Sequence, residues 1–374
     1  MDLPRFDPAA FLRDHWQTAP LLLRDPWSAW ANPLDPDELA GLACEEGVES
    51  RLITASVLEH GPFDADRLGR LGGTPWTLLV QAADEWVPDV AGLLAAFRFV
   101  PDWRVDDVMV SLAGDGGGVG PHVDHYDVFL IQGLGRRRWR IGAPLGEDAD
   151  GPEGPLRLLP GFETIAEWVL EPGDILYLPP GVPHDGVAEG DECMTYSVGF
   201  RAPLVSELVS HWADDRLETM SDRRYADPGL TMQDNPGEIT GNSLDRLYAM
   251  MIEAVADRDG FARWFGRHTT QPRDPEMDWS PDEPVEQDEL RTAIAAGEPL
   301  VRNPAHRFAF LRDAGGVTLF VGGEAHDCSG EVADLAERLC AAPRPSLPAG
   351  PLSDDALALL VRLFDEGSLA FDED

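Results

Sequence analysis

Hydrophobic and polar positions along the chain change their spacing twice, which divides its 374 residues into regions of different structure. Between residues 105 and 201, short runs of apolar and β-branched residues alternate with Gly and Pro, a pattern typical of strands separated by turns. We predict strands over residues 108–112, 126–132, 137–141, 175–178 and 194–200. Several short strands in one segment predict a β-sandwich or barrel.

Helical patterns flank this strand-rich region. Residues 11–16 predict a helix that leads into a short strand at 21–23, and the acidic residues after Pro36 predict the start of a second helix. Beyond the strands, apolar residues recur at helical spacing over 204–217 and 244–265. Both sides of the strand-rich region are therefore expected to be mainly helical.

The C-terminal part combines strands with helices. Residues 271–288 are rich in Pro, Asp and Glu, which predicts a linker. The linker is followed by strand patterns at 307–311 and 317–321 and by helical patterns at 331–340 and 354–364. A small hairpin with helices indicates a winged-helix-like module, so the predicted fold class is α+β. We predict three domains, over residues 1–203, 204–270 and 271–374.

The chain is strongly acidic, with a formal net charge of −39, and all 29 of its basic residues are Arg. An acidic surface repels the phosphates of nucleic acids and of anionic membranes, so we expect no direct DNA binding in spite of the winged-helix-like module. The same surface attracts a basic protein partner. An acidic composition without Lys is also typical of saline habitats and GC-rich genomes, and this second interpretation of the charge stays open.

Three features concern the compartment in which the protein works. No apolar run is long enough to cross a bilayer, so no membrane span is expected. The N-terminal residues contain no basic leader followed by an apolar stretch, so no export signal is expected either. The cysteines are scattered without a Cys-x-x-Cys motif, which predicts structural thiols in a reducing cytoplasm. They are Cys44, Cys193, Cys328 and Cys340.

Two short segments carry the candidate chemistry. Gly-Pro precedes His122-Val-Asp124, and Pro-Pro-Gly-Val-Pro precedes His184. Two imidazoles and one carboxylate can occupy one face of a metal ion and leave the opposite face open, which non-haem Fe(II) oxygenases require. A stiff Pro-rich turn suits a ligand such as His184 that must hold its position. His122, Asp124 and His184 are therefore the predicted metal ligands and catalytic residues of an iron-dependent oxygenase.

A His-x-Asp string is weak evidence alone, and the sequence contains two overlapping ones. His122 and Asp124 form the first, and His125 and Asp127 form the second. In a strand the two pairs would point to opposite faces, so only one pair can face the interior of a barrel. The first pair is favoured because it follows a Gly-rich turn at 116–121, which would present it at the mouth of a pocket.

A run of arginines offers an anchor for the carboxylate of a keto acid cosubstrate. In a strand Arg137 shares a face with Trp139 and Ile141, which predicts that it points inward while its three Arg neighbours point outward. An inward Arg is costly unless it meets an anion, and its planar group matches a carboxylate. Arg137 is therefore the predicted anchor. Ser111 and Thr195, on flanking strands, are predicted to add hydroxyl hydrogen bonds to the same ligand.

At these residues the chain resembles the JmjC-type 2-oxoglutarate oxygenases, and more narrowly the bacterial ribosomal oxygenases. The similar segments are residues 116–124, 126–129, 132–140, 170–184 and 196–203, with further similarity at 16–24 and 261–267. The resemblance implies a double-stranded β-helix core of the jelly-roll or cupin-like type. It also implies a helical dimerisation region, which would make the protein a homodimer, and a winged-helix C-terminal domain that contributes to substrate recognition.

The resemblance implies roles for individual residues as well. His122, Asp124 and His184 match the Fe(II) ligands of the family, and Arg137 matches the residue that anchors 2-oxoglutarate. Ser111 lies at a position that the family uses in cosubstrate binding. The implied cofactors are Fe(II), 2-oxoglutarate and O2. Bacterial members hydroxylate an arginine side chain of the sixteenth protein of the large ribosomal subunit, whereas animal relatives act on histidines of other ribosomal proteins.

The chain departs from the family pattern at two positions near the predicted site. His125 stands where Gln is usual, and Thr195 stands where Asn is usual, so the contacts of these positions stay open. Residues 147–155 also form an unusually acidic segment.

Two other functions stay open from the sequence. The oxygenase could act on a different protein side chain, such as histidine, or on a small molecule. The chain could instead be a non-catalytic cupin-like scaffold that binds a partner through its C-terminal module. The three candidate ligands and the inward Arg disfavour a scaffold, because a scaffold needs neither.

Overall fold

A computed structural model describes residues 2–55, 57–72, 74–145, 156–221, 223–348 and 350–372. The acidic segment predicted at 147–155 lies outside the described residues. No helix of the described chain is long and apolar enough to span a bilayer.

Helices form the N-terminal part, the middle of the chain and much of the C-terminal part. They are α1 (Pro8–Asp14), α2 (Pro36–Leu42), α3 (Ala65–Leu68), α4 (Ala83–Trp86), α5 (Pro88–Ala91), α6 (Val205–Thr219), α7 (Gly241–Val255), α8 (Arg258–Thr270), α9 (Gln287–Ala296), α10 (Glu331–Ala341) and α11 (Asp354–Asp365). Two short 3-10 helices, Gly92–Phe97 and Asp102–Arg104, lie between α5 and the first long strand.

Strands form one large sheet and two small ones. They are β1 (Leu21–Leu23), β2 (Ser50–Thr54), β3 (Val57–His60), β4 (Trp76–Val80), β5 (Val105–Ala113), β6 (His122–Val123), β7 (Val128–Gly142), β8 (Thr164–Leu170), β9 (Ile175–Leu178), β10 (Pro183–Phe200), β11 (Leu300–Arg302), β12 (Phe308–Arg312), β13 (Val317–Val321), β14 (Glu324–Cys328) and β15 (Leu369–Phe371).

The large antiparallel sheet contains all strands from β1 to β10. Their order is β1-β9-β7-β10-β5-β4-β2-β3, with β8 paired to β7 and β6 paired to β10. The two longest strands, β7 and β10, pair with each other in the centre. This sheet is the strand-rich region in which the sequence predicts a sandwich or barrel.

β7 runs without interruption through two predicted strands, 126–132 and 137–141. Gly135 lies between them with a φ of +61°, and a Cβ there would lie 3.1 Å from the Cα of Cys193. β10 shifts its register opposite this point. The prediction of two strands is wrong. The shift in register accommodates Gly135 within the paired strands, so the glycine does not end β7.

The two faces of β7 bury different hydrophobic clusters. Phe129 and Ile131 pack with the N-terminal helices in the larger cluster. The residues on the other face belong to a second cluster, which we call the inner cluster. Its members are Val128, Leu130, Trp139, Ile141, Leu170, Leu176, Leu178 and Val182. Because side chains alternate along a strand, Arg137 shares the face of this inner cluster.

The helix predicted over 244–265 is two helices in the structure. α7 ends at Val255 and α8 begins at Arg258. Asp257 caps α8, since its carboxylate accepts the amide hydrogen of Gly260 at 2.9 Å. The prediction of one helix is wrong because the apolar spacing continues across a capping residue that starts a new helix.

The C-terminal part has a hydrophobic core of its own, in which α9, α10 and α11 pack with the hairpin strands β12, β13 and β14. Residues 271–286, all of them described, contain neither helix nor strand, as the predicted linker requires. Arginines fix this part to the large sheet. Arg98 donates to two carbonyls at the end of α10 at 2.8 Å, and Arg273 and Arg307 contact the carboxylate of Asp106.

Candidate metal centre

The three candidate ligands lie together beside the inner cluster. β6 pairs with the start of β10, which places His122 opposite His184. Asp124 follows β6, and its carboxylate oxygens lie 3.9 Å from His122 Nε2 and 3.5 Å from His184 Nε2. The candidate ligand atoms all lie within 4.8 Å of one another, and no other such group occurs among the described residues. One small ion could therefore contact all three side chains.

Hydrogen bonds set the tautomer of both imidazoles. His122 Nδ1 lies 2.8 Å from the carbonyl oxygen of Gly120, and His184 Nδ1 lies 2.9 Å from that of Val182. Because a carbonyl only accepts, each Nδ1 carries a hydrogen, so in the neutral ring the lone pair that a metal requires lies on Nε2. Metal-binding imidazoles usually have such a bond on the second nitrogen, since it fixes the orientation of the ring.

The loops that carry the ligands hold each other in place. The Gly-rich loop before His122 passes close to β4, since a Cβ on Gly117 would lie 2.1 Å from the carbonyl oxygen of Trp76. Only glycine fits at that distance. On the other side, Gly181 of the Pro-rich turn donates its amide hydrogen to the carbonyl of Asp124 at 2.8 Å.

Burial gives the cluster the protonation state that a cation requires. His184 is 2% exposed, and burial together with the neighbouring His122 lowers its pKa to about 4. The imidazole of His184 is therefore neutral near neutral pH, as a metal ligand must be. The carboxylate of Asp124 raises the pKa of the nearby Tyr126, and burial of the phenol adds to the shift. A divalent cation would balance the carboxylate charge.

Arg137 lies on the inward face of β7, opposite Ala188 of β10 and Leu170 of β8. It is 3% exposed, and its Nε and Nη2 atoms have no hydrogen-bond partner within the described part of the chain. A guanidinium cannot lose its charge at physiological pH, so a buried one requires an anion. The donor set fits a small dicarboxylate whose one end binds a metal and whose other end meets Arg137.

Comparison with known proteins identifies the family. Residues 92–208 match the JmjC domain, and residues 253–370 match the ROXA-like winged helix. The ribosomal protein uL16 3-hydroxylase of Escherichia coli is 45% identical over 298 residues, which are 78% of this chain and 79% of that protein. The chain belongs to the JmjC ribosomal oxygenases.

Solved structures of this family confirm the predicted fold class. The X-ray structure of E. coli YcfD matches with a TM-score of 0.90 at 38% identity and covers 100% of both chains. A structure of YcfD, a ribosomal oxygenase from E. coli, in complex with cobalt and 2-oxoglutarate matches with a TM-score of 0.87 at 37% identity. It covers 100% of this chain and 99% of that one. The double-stranded β-helix core, the helical region and the winged-helix domain are thus all present.

In this JmjC ribosomal oxygenase the second His-x-Asp pair serves another part of the structure. Asp127 is fully buried and accepts hydrogen bonds from the hydroxyl of Tyr177 at 2.6 Å and from the side-chain amide of Gln17 at 3.0 Å. His125 is exposed. Asp127 therefore ties the N-terminal segment to β9, whereas Asp124 lies with the two histidines of the cluster.

Ser111 and Thr195 lie opposite each other on β5 and β10, and Thr195 also lies opposite Gln132 on β7. The hydroxyl of Ser111 donates to the carbonyl of Thr195 at 3.4 Å, and that of Thr195 donates to the side-chain carbonyl of Gln132 at 3.3 Å. Bonds of this length are weak, so both buried hydroxyls are able to turn toward a ligand. Their contact with a cosubstrate stays a prediction.

The sequence did not single out two other residues of the site. Tyr126 lies beside Asp124, and no pattern in the sequence distinguishes it from other aromatic residues. Trp139 packs over Gly186, where a Cβ would lie 2.6 Å from the ring. Its position two residues after Arg137 was a usable signal, because alternate residues of a strand share one face.

Proposed function

We propose that this chain is an Fe(II)- and 2-oxoglutarate-dependent protein hydroxylase that acts on an arginine side chain of uL16, the sixteenth protein of the large ribosomal subunit. In this proposal His122, Asp124 and His184 bind Fe(II), and Arg137 binds the carboxylate of 2-oxoglutarate remote from the metal. The observation that carries the proposal is the combination of a three-ligand cluster with a buried guanidinium that meets no anion among the described residues.

When bound, iron and 2-oxoglutarate together supply the activation of O2 that hydroxylation of an unreactive carbon requires. The residues of the chain bind, orient and exclude water. The imidazoles of His122 and His184 and the carboxylate of Asp124 would hold the ion and leave room on it for small molecules. Arg137 orients the dicarboxylate through its far end. The apolar side chains of the inner cluster keep water away from the reacting atoms.

The identity of the substrate is supported by the E. coli relative, which is named for its action on uL16 and shares 45% of its residues with this chain over 298 residues. Ribosomal proteins are basic, and a net charge of −39 raises the rate at which a basic partner meets this surface. Arginine as the modified residue follows from the resemblance to bacterial members of the family. Because uL16 is a ribosomal protein, we place the enzyme in the cytoplasm.

Mass spectrometry of uL16 tests this proposal. We expect uL16 from a strain that lacks the gene to gain the mass of one oxygen atom on an arginine after complementation with the wild-type gene. Asp124→Ala should abolish the gain, because the proposed metal site loses its carboxylate. Asp66→Ala, which removes a carboxylate that is 90% exposed, is the matched control and should restore hydroxylation. If uL16 has the same mass in the wild-type strain and in the strain that lacks the gene, uL16 is not the substrate.

Succinate formation with different substrates distinguishes the proposed function from its two alternatives. Succinate formation with a histidine peptide or a small molecule, but not with uL16, would indicate an oxygenase with a different substrate. A non-catalytic scaffold would form no succinate with any of them, and membership of the family already disfavours it. Turnover of a uL16 peptide should fall with rising salt if the acidic surface attracts the substrate. Turnover that does not change with salt would show that the acidic surface does not attract the substrate.

We also propose that the chain has three domains: an oxygenase domain over 1–203, a helical region over 204–270 and a winged-helix domain over 271–374. In this proposal two copies of the chain form a homodimer through their helical regions. Helices α6 and α7 expose many large apolar side chains that no described residue covers. They include Val205 at 77%, Val209 at 63%, Leu217 at 69%, Leu244 at 53%, Tyr248 at 64% and Met251 at 53% exposure. Exposed apolar side chains in this number on two neighbouring helices are typical of a protein interface.

Light scattering after gel filtration tests the dimer. Val209→Glu places a charge on the proposed interface and should convert the dimer to a monomer. Val57→Glu is the matched control, because Val57 is 57% exposed on β3 and lies far from α6 in the chain. The control should leave the mass unchanged. A wild-type protein that is already monomeric would overturn the proposal.

A further inference from the structure

Trp139 is the aromatic residue of the inner cluster, and its indole N–H meets no acceptor among the described residues. The side chain is 5% exposed, and its indole Nε1 has no hydrogen-bond partner anywhere in the described ranges. A buried Trp normally finds an acceptor for its N–H, because leaving a buried donor unpaired costs free energy. An unpaired indole in the inner cluster therefore marks a missing acceptor.

The ring lies between the two ends of the candidate site. Its centre is 5.9 Å from the imidazole centre of His184 and 5.8 Å from the guanidinium carbon of Arg137. Gly186, on the paired strand, lets the ring lie close to the backbone, since a Cβ there would lie 2.6 Å from two of the ring carbons and 2.8 Å from a third. No side chain tolerates contacts this short. Trp139 thus forms the floor between a metal ligand and the proposed anchor.

Two neighbouring residues on one face of β7 share the same deficit. Arg137 lacks partners at Nε and Nη2, and Trp139 lacks one at Nε1, within the residues that the structure describes. These donors are on side chains two positions apart in a strand, which puts them side by side. A carboxylate has enough lone pairs to accept from a guanidinium and an indole together, whereas a single carbonyl oxygen offers fewer. One anion would therefore satisfy both residues.

We propose that Trp139 is a second donor to the cosubstrate, with its indole N–H bonded to the carboxylate that Arg137 holds and its ring forming the floor under the carbon chain. This inference rests on the proposed use of 2-oxoglutarate and adds a positioning residue to it. Trp139 would select keto acids that carry a second carboxylate, because only those reach its N–H.

Binding of keto acids to the Zn(II)-loaded protein tests the proposal without turnover. Trp139→Phe keeps an aromatic ring and removes only the N–H donor. We expect the dissociation constant of 2-oxoglutarate, measured by calorimetry, to rise by about ten-fold or more, as loss of a hydrogen bond to a charged group predicts. The dissociation constant of 2-oxobutanoate, which has no second carboxylate, should be the same for wild type and variant.

Trp27→Phe is the matched control. Trp27 is 2% exposed and its indole nitrogen also has no partner among described residues, but it packs in the larger cluster with the N-terminal helices. Its replacement should leave both dissociation constants unchanged. If Trp139→Phe binds 2-oxoglutarate as tightly as wild type, or weakens 2-oxobutanoate equally, the proposed hydrogen bond does not exist.

A second measurement on the wild-type protein covers the case in which Trp139→Phe does not fold. In the 15N spectrum of the Zn(II)-loaded protein, the chain's 11 Trp residues give indole N–H signals. We expect 2-oxoglutarate to shift one of them strongly downfield and 2-oxobutanoate to leave it in place. No shift with 2-oxoglutarate bound would overturn this inference alone. If wild type binds no 2-oxoglutarate at all, the proposed function fails instead.

Discussion

On the outward face of β7, Arg138 bridges the carboxylates of Glu167 and Glu189 with a side chain that is 43% exposed. On the inward face of the same strand, Arg137 is 3% exposed and lacks a partner for two of its nitrogens within the described chain. The two residues are adjacent in sequence and chemically identical. Acidic side chains thus surround Arg138, whereas none of the described acidic side chains pairs with these two nitrogens of Arg137.

The difference matters because a guanidinium cannot become neutral. A buried carboxyl group can instead take up a proton. Asp84 is 5% exposed, and burial raises its pKa to about 7, with smaller contributions from Asp107 and Glu85. Arg137 cannot become neutral in this way, because a guanidinium keeps its charge at physiological pH. An unpaired buried arginine is therefore stronger evidence for a bound anion than an unpaired buried acid.

Replacement of Arg137 should have the largest effect. Arg137→Met keeps an unbranched aliphatic stem and removes the charged guanidinium. We expect binding of 2-oxoglutarate to weaken by about 2–5 kcal/mol, the usual cost of removing one partner of a buried charged pair. Calorimetry with the Zn(II)-loaded protein measures this.

The unfolding of the ligand-free protein provides the control. Because Arg137→Met removes an uncompensated buried charge, its free energy of unfolding should equal or exceed that of wild type. A variant that is clearly less stable without ligand would mean that Arg137 has a structural partner. The burial of Arg137 would then no longer be evidence for a bound anion.

Replacement of Asp84 should have the next largest effect, and its size depends on pH. The folded-state pKa of about 7 lies above the ordinary value of 3.8, so the folded protein holds a proton that the unfolded chain has lost. The stability that this proton contributes is present below the ordinary pKa and is lost as pH rises through about 7. Asp84→Asn cannot ionise, so its stability advantage over wild type should grow from near zero at pH 4 to about 4 kcal/mol at pH 8.

Urea denaturation of both proteins over this pH range measures the difference. Asp66→Asn is a suitable control, because the carboxylate of Asp66 is 90% exposed and should give the same difference at every pH. An advantage of Asp84→Asn that does not change with pH would show that the buried carboxyl keeps its charge. An unpaired buried arginine would then be no stronger evidence for a bound ion of opposite charge than a buried acid.

Replacement of Arg138 should have the smallest effect. Its ion pairs with Glu167 and Glu189 are largely exposed, and pairs of this kind contribute less than about 1 kcal/mol. Arg138→Met should leave 2-oxoglutarate binding unchanged and lower the free energy of unfolding by under about 1 kcal/mol. If Arg138→Met lost as much affinity for 2-oxoglutarate as Arg137→Met, binding of the cosubstrate could not be assigned to the inward face alone.

The sequence predicted the parts of the site that follow from alternation along a strand. The inward position of Arg137 and the strands at 175–178 and 317–321 were recognisable because local spacing alone determines them. The strand pattern after residue 127 is apolar in both phases, so it did not help to choose between the two His-x-Asp pairs, and the choice rested on the Gly-rich turn. The structure separates the phases, with Phe129 in the larger cluster and Leu130 in the inner cluster.

Other features depend on contacts between distant segments and had no local signal. The pairing of His122 with His184 joins β6 to β10, and the long pairing of β7 with β10 accommodates Gly135. The break at Asp257 is different, because it depends on a local capping interaction that the continuous apolar spacing concealed. The role that we propose for Trp139 required knowledge of an unpaired atom, which a sequence does not contain.

A crystal structure with Mn(II) and N-oxalylglycine, an unreactive analogue of 2-oxoglutarate, tests the central claim most directly. The account predicts one ion at about 2.0–2.2 Å from the Nε2 atoms of His122 and His184 and from an oxygen of Asp124. It also predicts that the far carboxylate of the analogue accepts hydrogen bonds from Arg137. An ion bound elsewhere, or a carboxylate that leaves the guanidinium unpaired, would contradict it.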